Sequence, residues 1–327
     1  AYDFREEYIA RNWATAYNIK AVREGRLIKE KLPHKIPRGM QAFLFNLRKD
    51  KYSDPRVREA IGLSMDFEWM NKTLFYGAYD RSSSFFQNTD FMAVEPPEAA
   101  ERALLEPHQD ELPEALFTTK WVMPKTDGSG YPREQLLKAQ ALLNEAGWEM
   151  VDGKRVNTVT GETLSIEFMM RQRTFEKVIT GLVRNLSKLG IEANFRYVDD
   201  SQYQKRIDNR DFDIISIWWN LGVFFPGNEQ MSFWHSSQAD VVGSNNQSGL
   251  KSEAVDDILS KLTSAHTLEE LTPATKALDR VLLWKHVVIP HWHLSASRIL
   301  HWDKFGKPDY DPPYGVAIDS WWVKEKD

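Results

Sequence analysis

The 327 residues are 42% apolar and 27% charged, the balance of an ordinary globular chain long enough for a substantial core and two lobes or domains. A net charge of −5 argues against nucleic acid as a partner, because neutralising phosphates needs a basic face. With no cysteine, disulfides, thiolate chemistry and Cys-ligated zinc or iron–sulfur sites are excluded, and no apolar run approaches the ~18 residues of a membrane span.

The opening residues, AYDFREEYIARNW, carry no charged-then-apolar export pattern and no initiating Met. The sequence is therefore expected to start at a processed end or inside a longer protein. Residues 39–47, GMQAFLFNL, read as a strand covered on both faces, because both alternating sets are mostly apolar. Asp54 then caps a helix with Pro55 in its first turn and Val57, Ala60, Ile61 and Met65 as its apolar stripe. Asp66 caps a second helix through Trp69, Met70, Leu74 and Phe75, stopped by Gly77. Residues 80–132 read as irregular. Pro132 opens a helix through Ala146 whose apolar side is Leu136, Leu137, Leu142 and Leu143.

A small hairpin is expected around Asp152-Gly153-Lys154, then a strand over 163–170, a helix over 174–189 and a strand over 191–198. A short helix capped by Asp200 and a strand over 212–218 complete a strand–helix–strand–helix–strand run, which favours a parallel sheet with covering helices. Helices over 251–264 and 267–285 follow. VVIPHWHLSASRIL reads as one late strand, and the tail is Pro- and Gly-rich.

Trp (12) outnumbers Tyr (11), which fits a Trp-rich core or an aromatic-lined cleft; composition does not choose between them. The strand DFDIISIWW ends in Trp218 and Trp219. Adjacent strand residues face opposite ways, so one indole can enter the core while the other meets a second layer, solvent or a ligand. Ligands of open α/β sheets bind beyond the carboxyl ends of strands. Asn220 and the loop that carries Phe225 and Glu229 supply polar and apolar groups there. His291-Trp292-His293 has the spacing of a metal pair but no third ligand at a recognised spacing, so structural histidines are the better reading. Signatures of nucleophilic, phosphate-binding or metallopeptidase chemistry are absent.

The stretch FNLRKDKYSDPRVREAIGLSMDFEWMNKTLFYGAYDR resembles the signature of the family 5 extracellular solute-binding proteins, receptors of peptide-type ABC importers. DFEWMNKTLFYG, KTDGSGYPR, DNRDFDIISIWW, PGNEQ, LDRVLLW and IPHWHLS are similar to its YejA-type subgroup, associated with oligopeptide and microcin C uptake, over nearly the whole chain. The resemblance implies an α/β, periplasmic-binding-protein-like two-lobe clamshell of type II. Lobe two would be complete over 45–288, and lobe one only partly represented by 1–44 and by the return segment 289–327. It implies an exported, periplasmic, non-enzymatic protein that needs no cofactor. Its partners would be a peptide or peptide-like ligand, an inner-membrane ABC permease and an N-terminal portion of the same protein.

Trp219 would cover the ligand. Asn46 and Asn220 would bond its polar groups, and Trp292 would floor the cleft. Relatives place an Asp for the peptide α-ammonium three residues beyond the strand's Trp, and here Gly222 stands there. That departure leaves room for modified peptides or amino-acid conjugates. The lobe-one segments would expose apolar edges through Phe43, Trp302, Trp321 and Trp322. A different class, a carbohydrate-active enzyme or carbohydrate-binding domain stacking sugars on Trp, needs a paired-carboxylate pocket that the sequence does not place.

Overall fold

The computed structural model describes residues 2–219, 225–309, 312 and 315–325. The chain forms two compact units. The smaller comprises Ala1–Pro37, Asn71–Asp80 and Trp292–Asp327; the larger comprises Arg38–Met70 and Arg81–His291. These limits differ from the expected 44/45 and 288/289. The strand Gln41–Phe45 is hydrogen-bonded on both sides within the larger unit's sheet, and Val288–Pro290 pairs beside it, so both crossing strands go with that unit. Residues 71–80 add a second excursion into the smaller unit, which no local pattern signalled.

In the smaller unit Ala296–Trp302 is the centre of a three-stranded antiparallel sheet, between Phe4–Glu6 and Leu27–Pro33. Leu27 and Leu300 pack there with Trp13 and Tyr17. Trp322 is exposed and Trp302 and Trp321 are half-buried, but Phe43 is fully buried at the centre of the other unit's sheet. Its strand lies between two others and is covered on both faces, so it offers no apolar edge.

The larger unit is built on a five-stranded sheet, in the order Val288–Pro290, Gln41–Phe45, Ile214–Trp218, Ser165–Met170, Glu192–Tyr197. The last three strands are parallel to one another, as the strand–helix alternation predicts. Gln41–Phe45 runs antiparallel to both neighbours, so the sheet is mixed. On one face Ala42, Leu44, Met169 and Ile215 form one core with residues of the helices Glu253–Ser264 and Leu268–Trp284. On the other face Phe43 meets Phe168 edge-on, with ring centroids 5.4 Å apart. His291 is buried between Phe43 (4.3 Å) and Phe175 (5.1 Å), and burial, then the charge of Arg81, holds its pKa well below the usual histidine value.

Two of the expected acidic helix caps are formed as read. The Asp54 carboxylate accepts from Arg56 N–H (2.8 Å) and Asp66 from Trp69 N–H (2.9 Å). The cap of the helix Asp200–Asp208 is Asp199, one residue earlier than expected, accepting from Gln202 N–H. In the helix Arg133–Glu145, Leu136 and Leu143 are buried while Leu137 is exposed. The late strand is broken into Val288–Pro290, Trp292–His293 and Ala296–Trp302, because the chain changes unit between His291 and Trp292.

The stretch after residue 80 is not irregular throughout: it forms the short helices Ala99–Leu105 and Ala115–Thr118, and buried charge holds its start. Asp279 accepts from the Ser84 hydroxyl (2.7 Å) and from the N–H groups of Phe85 (2.7 Å) and Ala93 (3.0 Å). Burial nevertheless pushes its carboxyl up to about 6. A folded-state pKa above the unfolded one means that the folded state takes up the proton first. This contribution to stability therefore falls as pH rises from about 4 to 6 and is flat above. Asp279→Asn lacks it, so the stability difference between wild type and variant is expected to widen by roughly 1 kcal/mol between pH 7 and pH 5. Urea denaturation at the two pH values reads this difference, in which the other titrating groups cancel; a constant difference would show that Asp279 does not titrate in this range.

Candidate functional site

The three parallel strands end together, at Met170, Tyr197 and Trp218. Side chains there stand where the loops after the strands begin. Trp218 is 60% exposed and Tyr197 48% exposed, both large for aromatic side chains next to a sheet core. The Arg173 guanidinium lies over the Tyr197 ring at 5.2 Å, and Arg171 over Tyr203 at 5.8 Å. Both arginines are exposed, and among the described residues the one ion pair of Arg173 is a long one, 3.4 Å, with Glu176. The edge therefore presents exposed aromatic and cationic side chains, with the exposed Asp199 and Asp200 two and three residues beyond Tyr197.

The paired tryptophans divide as the pleat requires, but in the opposite sense to the expected one. Trp219 shares the face of Ile215 and Ile217. It packs against Phe85 (5.5 Å, edge-on) and Trp234 (4.9 Å) and is only 8% exposed. Its backbone N–H donates to Met40 O (2.9 Å), continuing the ladder one residue past the strand. The exposed indole is Trp218.

Asn46 is likewise interior. Its amide donates to the carbonyls of Arg210 and Phe212 (both 2.9 Å), and its Oδ1 accepts from Arg48 (3.1 Å), so the fold uses its polar atoms as a tie between loops. Glu229 turns back on its own loop and accepts from Gly227 N–H (2.8 Å). Phe225 is 58% exposed and touches Phe91 edge-on at 6.2 Å. Trp292 belongs to the smaller unit, where it packs on Phe75 (4.5 Å) and Tyr79 (6.3 Å). Asn220 and Gly222 lie outside the described residues.

The sequence reading missed Tyr197, Arg171 and Arg173. A signal existed: Arg171 and Arg173 directly follow the strand Ser165–Met170, and Tyr197 ends the next one, so the same carboxyl-end rule that singled out Trp218 reaches them. No group of three or more His, Asp or Glu side chains is placed to hold a metal ion among the described residues.

Exposed aromatic and cationic side chains at the carboxyl ends of parallel strands, where open α/β sheets take up ligands, make this edge the candidate site. The bacterial extracellular solute-binding proteins, family 5 Middle, match residues 1–240, and the chain belongs to this family. It is 38% identical over 323 residues to the uncharacterized protein YejA of Escherichia coli (strain K12), covering 98% of this chain and 53% of that protein. It is 39% identical over 324 residues to a probable peptide-binding protein YejA of Agrobacterium fabrum, covering 98% of this chain and 52% of that protein. The chain thus spans about half the length of these curated relatives. Among solved structures, the oligopeptide-binding protein AppA from Bacillus subtilis, in complex with a nonapeptide, aligns with a TM-score of 0.66 at 17% identity, over 99% of this chain and 56% of that one. That likeness shows the fold, the α/β fold of the type II periplasmic binding proteins. Family membership does not support the carbohydrate reading.

Proposed function

We propose that this chain is part of the substrate-binding component of a periplasmic ABC importer. It captures oligopeptides or modified peptides without chemical change and presents them to an inner-membrane permease. The family match over residues 1–240 carries this reading, with the peptide-binding relatives in support.

The exposed edge refines the ligand. Trp218 and Tyr197 offer flat apolar surfaces, and Arg171 and Arg173 offer charge for a carboxylate rather than for an ammonium. Gly222 in place of an acid agrees with a ligand whose amine is not the main recognition group. Trp292 and Phe225 remain candidates for apolar contacts; Trp219, Asn46 and Glu229 act by holding the scaffold.

Isothermal titration of this chain with a set of short peptides, each also N-acetylated or C-terminally amidated, tests the proposal. C-terminal amidation is expected to weaken binding about tenfold, through loss of charge-assisted hydrogen bonds, and N-acetylation to change it little. The reverse order would overturn the carboxylate assignment. Release of cleaved products would overturn the binding-only reading.

A further inference from the structure

The strand Glu192–Tyr197 closes one side of the five-stranded sheet and pairs only with Ser165–Met170. The ladder fixes which way its backbone faces. Glu192 N–H donates to Leu164 O (3.1 Å), and Val198 N–H donates to Met170 O (2.9 Å). Along a parallel pair, alternate residues bond to the neighbour. Residues 192, 194, 196 and 198 therefore turn their backbone groups into the sheet. The N–H and C=O of Ala193, Phe195 and Tyr197 turn outward, and none of them takes part in a hydrogen bond among the described residues.

This edge is open. Glu192, Asn194, Arg196 and Tyr197 are exposed, and Ala193 and Phe195 are half-buried. The pleat puts Glu192, Asn194 and Arg196 on one face and Ala193, Phe195 and Tyr197 on the other. Glu192 has no ion pair among the described residues. Arg196 reaches the Glu167 carboxylate at 3.0 Å but shares it with Arg206 (2.9 Å), and its side chain stays 59% exposed.

A free strand edge is a template for another strand, and charged side chains commonly guard it. Here the charges are spaced so that the edge attracts a copy of itself. With two copies antiparallel about a twofold axis at Asn194, Ala193 faces Phe195 of the second copy at a hydrogen-bonded position. The outward groups of these residues then exchange N–H···O bonds, and a small side chain lies opposite a large one. Glu192 stands directly opposite Arg196 of the second copy, and the axis repeats the pair. Asn194 meets its own copy on the axis, where an amide side chain both donates and accepts. Moving the axis to Ala193 or Phe195 keeps backbone pairing but loses both ion pairs, so the charges select one register.

We infer that Glu192–Tyr197 is a self-association surface, at which two copies of this chain join their sheets edge to edge in an isologous, antiparallel pair. Opposite charges facing across the joined strands add to the backbone bonds, and like charges in the same place oppose them. The surface is short, so the association is weak, with a Kd on the order of 10–100 µM. It does not depend on the peptide reading, because the strand that carries Trp218 lies beyond Ser165–Met170 in the sheet.

Sedimentation equilibrium of the chain without peptide, over roughly 1–300 µM, tests the inference. The mean mass is expected to rise from that of one chain, 38.0 kDa, towards twice that value. Glu192→Lys sets Lys against Arg196, and Arg196→Glu sets Glu against Glu192, so each variant alone is expected to associate about tenfold or more weakly. Mixed in equal amounts, the two variants regain both opposite-charge pairs and are expected to associate as the wild type does. Ala193→Pro removes an outward N–H, a change that an edge strand tolerates, and is expected to abolish pairing. The charge variants and their mixture decide the matter even if the proline variant folds poorly. A chain that stays single at every concentration would overturn the inference. So would a dimer that persists unchanged in Glu192→Lys, or a mixture no heavier than its two components.

Discussion

Trp219→Ala lowers the unfolding free energy by about 3–5 kcal/mol, the cost of removing a large aromatic side chain from a closed core. The indole is enclosed by Phe85 and Trp234 on the face that carries the main helical cover, so its loss leaves a cavity that neither ring can fill without moving. Trp219→Phe keeps the edge-on contact with Phe85 and is expected to lose much less. Trp218→Ala behaves oppositely. With a 60% exposed side chain it changes stability little, but it weakens peptide binding by roughly 1–3 kcal/mol if the indole covers the ligand. Denaturation and titration of the same three variants separate the roles. A stable Trp219→Ala with reduced affinity would exchange the two assignments.

Glu101→Ala is expected to cost about 3–5 kcal/mol, because it strands a buried guanidinium. Glu101 sits on the short helix Ala99–Leu105, and Arg280 on the long helix Leu268–Trp284. Arg280 donates through Nε to one carboxylate oxygen (2.6 Å) and through Nη2 to the other (3.3 Å), with both side chains almost fully buried. The same Nη2 reaches Glu95 O, so one arginine fixes both the loop and the helix that follows it. Replacing the pair together, Glu101→Leu with Arg280→Met, is expected to recover most of the loss, since no charge is left unpaired. Chemical denaturation of the single and double variants checks this; a single variant within 1 kcal/mol of wild type would mean that water reaches the site.

Residues 80–132 read as irregular because their order comes from such distant partners. Asp279 and Arg280 hold the start of this stretch from almost two hundred residues away, and no periodicity within it reports them. The parallel strands, by contrast, were legible from local pattern. Their apolar runs are bounded by Gly190 and by acidic helix caps, and short links leave little choice of neighbour. The smaller unit's strands were harder to read. Leu27–Pro33 pairs with Ala296–Trp302, which lies at the far end of the sequence.

The candidate site was legible to the same depth. A strand ending in two tryptophans marks the end of the sheet where ligands bind, and the sequence alone says that one indole faces each way. It does not say which. That depends on which side carries the larger helical layer, and this is set by the helices Glu253–Ser264 and Leu268–Trp284, which come after the strand. Asn46 shows the same limit, since a polar residue beside a crossing strand serves a ligand or ties loops with equal local plausibility, and only the carbonyls of Arg210 and Phe212 decide. Composition, most helix caps, the parallel strand–helix run and the family were legible in the sequence itself, because they rest on spacing and on local backbone preference. The choice between Trp218 and Trp219, the limits of the two units, and the order of strands in the mixed sheet were decided only by tertiary structure. Each of these depends on which distant surface covers a side chain or a strand edge.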